Sequence, residues 1–417
     1  MLTPIRQNSY LYNTTSEIQK NAVLNRGFIE SMGVEVPFAL MANNKDERIE
    51  RLMRAVWFVF ASFVAPVIFM PRINKQVLKN SKIAENAGET LILRVSKKYL
   101  TKNADYMLEG FKKTAEELEK NPKFKDASIH FNNVLKNFPD KEKLRENLIK
   151  AHQHIFSLEF ALSSLLAISN PWVINYITEK RTKRNGYVGE FKMAGKEYTN
   201  KNAMNHEKTK KIKMALSFLF PILPAIIIPK IASKAILKPI DKLGTIGKFL
   251  KNNAHIFDYK DAVYASKAAC FGIMAFGDFP SYMLACRDKH ELKLRATGFS
   301  FIIAMLFAGD FILNNIVGRI SDEIFKTKLM NREGFEKTGF LKNFLMHVNS
   351  FEKLNAMPHL SKVNKRAALA MYWGNFALTT ALLGFGLPFI LNKGLKKDVA
   401  KDQKNISKDT SKPQKKT

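Results

Sequence analysis

Residues 214–229 read MALSFLFPILPAIIIP, sixteen residues without a charge and with prolines at 221, 224 and 229. A stretch so apolar is a membrane-crossing segment or a buried core helix, and the choice decides the fold. Crossing the hydrocarbon core takes roughly 20 mostly apolar residues, with about 17 to 25 as the range, whereas core helices of soluble proteins usually show runs of about 10 to 14. By itself 214–229 is marginal. Similar blocks occur at 52–70, 155–177, 262–286, 296–318 and 367–391, and each of these is long enough. The sequence therefore predicts an all-α, multi-pass membrane protein with about six hydrophobic segments.

The polar stretches divide the chain accordingly. Residues 1–51 form a polar tail whose final helix enters the membrane, and 52–71 is the first segment. A helical extramembrane insert follows at 72–152, its helix-period pieces cut by Pro122 and Pro139. Segments two to five and their basic loops occupy 153–318. A basic amphipathic loop spans 319–365, the sixth segment 366–391, and a Lys-rich tail without aromatics, read as disordered, runs from 392 to 417. In NKDERIER, residues 44–51, Asn44 has the place of an N-cap and Glu47 the third helical position.

Lys and Arg number 67 against 37 Asp and Glu, a net charge of +30. Such a field attracts nucleic acid or anionic lipid. The aromatic residues lie inside the apolar blocks, so the stacking platforms of single-strand binders are missing and the lipid bilayer, with its anionic headgroups, is the expected partner. With six crossings, the N-terminal tail, the 178–213 loop, the turn RDKHELKLR (287–295) and the C-terminal tail share one side. Without the long insert, that side carries 30 basic residues against 17 opposite, which places both termini in the cytoplasm. The expected location is a bacterial inner membrane. No cleavable signal-peptide pattern opens the chain. Cys270 and Cys286 fall sixteen residues apart in one segment, so no disulfide framework is expected.

Two internal echoes stand out. APVIFMPRINKQVLK at 65–79 resembles LPAIIIPKIASKAILK at 223–238, and LPFILNKGLK from Leu387 is a weaker third copy. Each joins prolines to a basic exit, which predicts a helix that unwinds near the headgroups or turns back, with Arg72, Lys75, Lys230 and Lys234 meeting lipid phosphate. The second echo is GDF at 277–279, GDF at 309–311 and GNF at 374–376. An ionisable group within the bilayer costs at least ~2.5 kcal/mol and usually marks a cavity or a partner. Asp278 and Asp310, each about 13 Å from opposite surfaces by helical rise, make a candidate ion or proton path, with Lys267, Asn314 and Glu159 as supporting groups. The plainer alternatives are an N-cap role for Asp278 before Pro280 and interfacial solvation for Glu159.

Enzyme motifs are missing. HEKTK and HELKL lack the second His of a zinc-protease helix, and GTIGKF lacks the spacing of a phosphate loop. No cofactor or metal is expected. The function expected from these residues is a structural or interaction role at the membrane, with ion- or proton-coupled transport through Asp278 and Asp310 as the alternative.

Overall fold

The structure, a computed structural model, describes residues 4–20, 22–83, 87–120, 124–193, 196–260, 264–265, 271–272, 274–305, 310–330, 349, 351–355 and 361–410. Among them the regular structure is helical, apart from one antiparallel pair of two-residue strands, Tyr259–Lys260 and Tyr264–Ala265. It divides into two compact units. One holds Met1–Val59, Ile174–Lys208 and Cys286–Thr417; the other holds Phe60–Val173 and Thr209–Ala285.

Among the described residues, three helices are long and apolar enough to cross a membrane: Lys141–Thr182, Lys208–Leu237 and Lys362–Asn405. The most apolar window of Lys208–Leu237 is only 22% buried. Leu219, Phe220, Leu223, Ile226, Ile227 and Ile228 are all exposed along it. An apolar band of that extent marks a surface made for contact with protein or lipid. Three such helices stand where the sequence reading expects six segments. The fourth and fifth segments run in part through residues outside the described set. In the first, the helix changes type at Phe60–Val64, although Val56, Phe60, Val64, Val67, Ile68 and Phe69 are exposed there too.

The prolines do not unwind their helices. The helix Lys196–Leu237 continues through Pro221, Pro224 and Pro229, and Ala65–Asn80 continues through Pro71. A second device recurs. Among the described residues, the π-helical turns Ser31–Glu35, Phe60–Val64, Met274–Asp278 and Thr380–Gly386 each end two residues before a proline, namely Pro37, Pro66, Pro280 and Pro388. A proline inside an α-helix leaves the carbonyl four residues back unpaired and drives its ring against it. The wider π-turn, bonded i to i+5, draws that carbonyl aside and lets the helix proceed. The first and third copies of the proline repeat follow such a turn; the second lies within uninterrupted α-helix.

In the second unit, the stretch after the first segment folds around a core of Ile92, Leu93, Leu100, Met107, Phe111, Phe131, Leu144 and Leu148, and Ala232 and Ile236 join it. The helix Ala104–Leu118 starts where Asn103 accepts from the Tyr106 amide at 2.9 Å. Gly110 is required there, because a Cβ would lie 2.5 Å from Tyr99. Elsewhere in this unit Gly277 faces Pro221, whose Cα would be 3.1 Å from an added Cβ.

The first unit corrects the reading of the C-terminal tail. Instead of being disordered from Asn392, the chain is helical over Leu387–Thr410. Leu395 and Val399, one turn apart, pack against Tyr187 and Val188, and that buried apolar contact offsets the ordering entropy that the tail's polar composition cannot cover. A further cluster joins Val34, Leu383, Leu387 and Leu391. The buried Gly384 admits the close approach, since a Cβ would lie 2.6 Å from the Gly33 carbonyl.

Candidate functional site

The densest chemistry in the first unit begins on the helix Lys45–Val59. Asn44 caps it, accepting from the Glu47 amide at 2.9 Å. The Glu47 carboxylate reaches back to the Asn43 amide at 2.6 Å, one residue before its place in a standard capping box. Intervals of three and four residues set Glu47, Glu50, Arg51 and Arg54 on one face. Glu47 pairs with Arg51 at 2.5 Å and Glu50 with Arg54 at 2.9 Å. Facing them, the helix Lys289–Ala304 is capped by Asp288, which accepts from the Glu291 amide at 2.8 Å. Glu291 and Arg295, one turn apart, pair at 2.7 Å.

Arg287 joins the two helices. Its side chain is fully buried, and it donates to both oxygens of Glu50, at 2.9 and 3.0 Å, and to both of Glu291, at 3.0 and 3.1 Å. Burial opposes the ionisation of Glu50, yet Arg287 and Arg54 outweigh it and hold its pKa down to about 2. The same contest leaves Glu291, beside Arg287 and Arg295, well below the usual carboxylate range. Burial also opposes the charge of Arg287, and Glu291 and Glu50 outweigh it and push its pKa up. The result is a buried, charge-assisted lattice in which Glu50 and Glu291 each meet more than one guanidinium.

The same region ties together pieces far apart in sequence. Asn43 donates to Asn392 at 3.0 Å, and Asn392 donates to the Met41 carbonyl at 2.6 Å. Asn44 donates to the Val188 carbonyl at 2.8 Å. The Tyr187 amide donates to Asp288 at 2.7 Å, and the Tyr187 hydroxyl bonds to Glu47. Burial, reinforced by Glu47, pushes the Tyr187 pKa well up, so the phenol keeps its proton. Arg181 meets Asp46 at 2.8 Å and Lys293 meets Asp398 at 2.7 Å. His290 lies between Glu190, 2.6 Å from Nδ1, and Asp402, 3.2 Å from Nε2. Glu190, Asp288 and His290 bring one ligand atom each within 4.8 Å of one another, the one cluster of metal-binding type among the described residues.

The sequence-derived candidates lie elsewhere. Asp278 is in the second unit, in the π-turn Met274–Asp278. Its backbone is helical, with φ −70° and ψ −43°, and its side chain makes no capping bond, so the N-cap reading fails. Ser164 hydrogen-bonds to it, while Oδ1 is enclosed without a partner among the described residues. Glu159, expected at an interface, is 6% exposed. It lies close enough to the buried Lys97 to favour that ammonium. Lys97, His152 and Ser233 line a cavity of about 20 Å³, room for one water. Lys267 lies outside the described residues, as do the side chains of Asp310 and Asn314. Arg72, Lys75, Lys230 and Lys234 are exposed.

Reading the sequence alone missed the lattice. Its local signal was present in Glu50 with Arg54 and Glu291 with Arg295 at helical spacing, but Arg287 and Glu50 are 237 residues apart. No family model matches the chain, nor does any curated protein or solved structure.

Proposed function

We propose that the chain is an integral, multi-pass membrane protein with about six crossings, in a bacterial inner membrane, whose role is structural or interactive. The observation that carries this is which polar pieces gather around the Arg287 lattice. Asn43 to Arg54 come from the N-terminal stretch, Tyr187 to Glu190 from the 178–213 loop, Arg287 to Arg295 from the short turn, and Asn392 to Asp402 from the C-terminal tail. Those are the four stretches that an even count of intervening crossings puts on one side. Ion pairs and hydrogen bonds join them, as suits a scaffold. Basic residues flank the apolar helices and would meet anionic headgroups at ~1 kcal/mol each near the surface.

Site-directed cysteines tested for labelling by a membrane-impermeant maleimide check the arrangement. Cysteines replacing Lys45, Lys192, Lys289 and Lys396 label from one side, and cysteines replacing Lys98 and Lys248 from the other. Labelling of all six from one side removes the six-crossing arrangement.

Transport is the second reading, and Asp278 favours it. A carboxylate whose Oδ1 is enclosed, in a π-turn behind Pro280, has the setting of a proton or cation site. Asp278→Asn and Asp310→Asn then abolish ion flux in reconstituted vesicles at unchanged abundance. Flux equal to the wild type in both variants, or none in the wild type, leaves the scaffold reading alone.

A further inference from the structure

We propose that Glu190, Asp288 and His290, with Asp402 as a fourth group, bind a divalent first-row transition-metal ion. The proposal does not depend on the number of membrane crossings. Glu190 is 0% exposed; its Oε1 faces Nδ1 of His290 at 2.6 Å, while its Oε2 is enclosed and has no hydrogen-bond partner among the described residues. A wholly buried carboxylate oxygen without a donor is an acceptor in want of a cation. Asp288 brings a second carboxylate, already oriented by the Glu291 and Tyr187 amides at 2.8 and 2.7 Å. Two backbone donors fix its position and leave lone pairs on both oxygens, the arrangement by which outer groups orient a metal ligand.

The donor set selects the ion. One imidazole with two or three carboxylates is too nitrogen-rich for Mg²⁺ or Ca²⁺, which take oxygen alone, and has no thiolate for a soft ion; Mn²⁺, Fe²⁺ and Zn²⁺ fit. Neighbouring ligands of an ion at ~2.1 Å lie about 3.0 to 3.4 Å apart, and the three ligand atoms here already lie within 4.8 Å. An entry route exists on the side of Asp402, whose side chain is 20% exposed. Lys289, paired with Asp402, is the cation that would yield as the ion enters.

The alternative for the same atoms is a protonated His290 bridging Glu190 and Asp402 with no ion. Metal content separates the two. The full-length protein, purified in detergent, is stripped with a chelator, incubated in turn with ZnCl₂ and MnCl₂, desalted and analysed by plasma mass spectrometry. Expected is about one ion per chain, and a loss of affinity of at least ~10-fold in His290→Ala and in Glu190→Gln. Asp402→Asn, in a partly exposed side chain, weakens binding less. Lys293→Ala, whose Asp398 pair is exposed, leaves it unchanged. Titration of the stripped wild type with Co²⁺ adds a readout free of mutant folding: d–d bands in the visible that Zn²⁺ displaces. Sub-stoichiometric metal in the wild type, binding unaltered in His290→Ala, or Co²⁺ spectra matching the aquo ion would each overturn the proposal.

Discussion

Arg287 in one unit and Lys97 in the other are buried in opposite ways. In the first, Arg287 meets Glu50 and Glu291 within hydrogen-bonding distance, and for these three groups the pairing overrides desolvation. In the second, burial dominates. Lys97 is 4% exposed, and desolvation pushes its pKa down to about 8 although Asp258 and Glu159 work the other way. Asp258 spends its carboxylate on the Ser96 hydroxyl and the Lys97 amide, at 2.6 and 2.7 Å, so it braces the backbone more than it neutralises the ammonium. A buried charge therefore holds a fold together only where its partners are themselves positioned by secondary structure. Helical one-turn spacing does that in the first unit.

The largest expected effect tests the lattice. Arg287→Met leaves Glu50 and Glu291 buried without their shared cation, and the loss should be about 3 to 5 kcal/mol, seen as a steep drop in thermal midpoint in detergent. A drop equivalent to less than about 1 kcal/mol, the scale of a surface pair, would erase the contrast between the units.

Acid should act through Glu50. Its pKa is depressed in the folded state, from 4.5 to about 2, so its contribution is full above pH 4.5 and is lost as pH falls toward 2. The shift corresponds to roughly 3 kcal/mol. Glu50→Gln should flatten the stability profile in that window; an unchanged acid limb would assign the loss to other carboxylates. In the second unit the sign reverses. The folded pKa of Lys97 lies at about 8 against 10.5, so its burial costs stability below pH 8 and that cost fades as pH rises from about 8 to 10.5. Lys97→Met should flatten the rise in thermal midpoint over that window, and an unchanged rise would assign it to other groups. The smallest effect sharpens the local end of the comparison: Asn44→Ala removes the cap that starts the lattice helix and its bond to Val188, costing about 1 kcal/mol by thermal melting.

Legibility in the sequence followed the range of the interaction. The Asn44 cap, the one-turn pairs and the helical periods could be read because their partners lie within four residues. The proline repeat was legible as a pattern but not in its consequence: helix interruption was expected, whereas π-turns ahead of Pro66 and Pro388 preserve the helix. HELKL was rejected as a metal motif for want of a second His within the helix. The groups that converge on His290 come from Glu190, 100 residues earlier, and from Asp402 on the tail helix.

Composition and periodicity alone determined that this chain is helical and that it carries helices apolar enough to cross a membrane, because both depend on residues within a few turns of one another. Which charges are buried, which of them share a counter-ion and where a metal would find its ligands were decided by the tertiary structure. A carboxylate held down at a pKa of about 2 and a lysine pushed down to about 8 differ in what folding packs around them, and the Coulomb and desolvation energies that set the outcome act through space across hundreds of residues of chain.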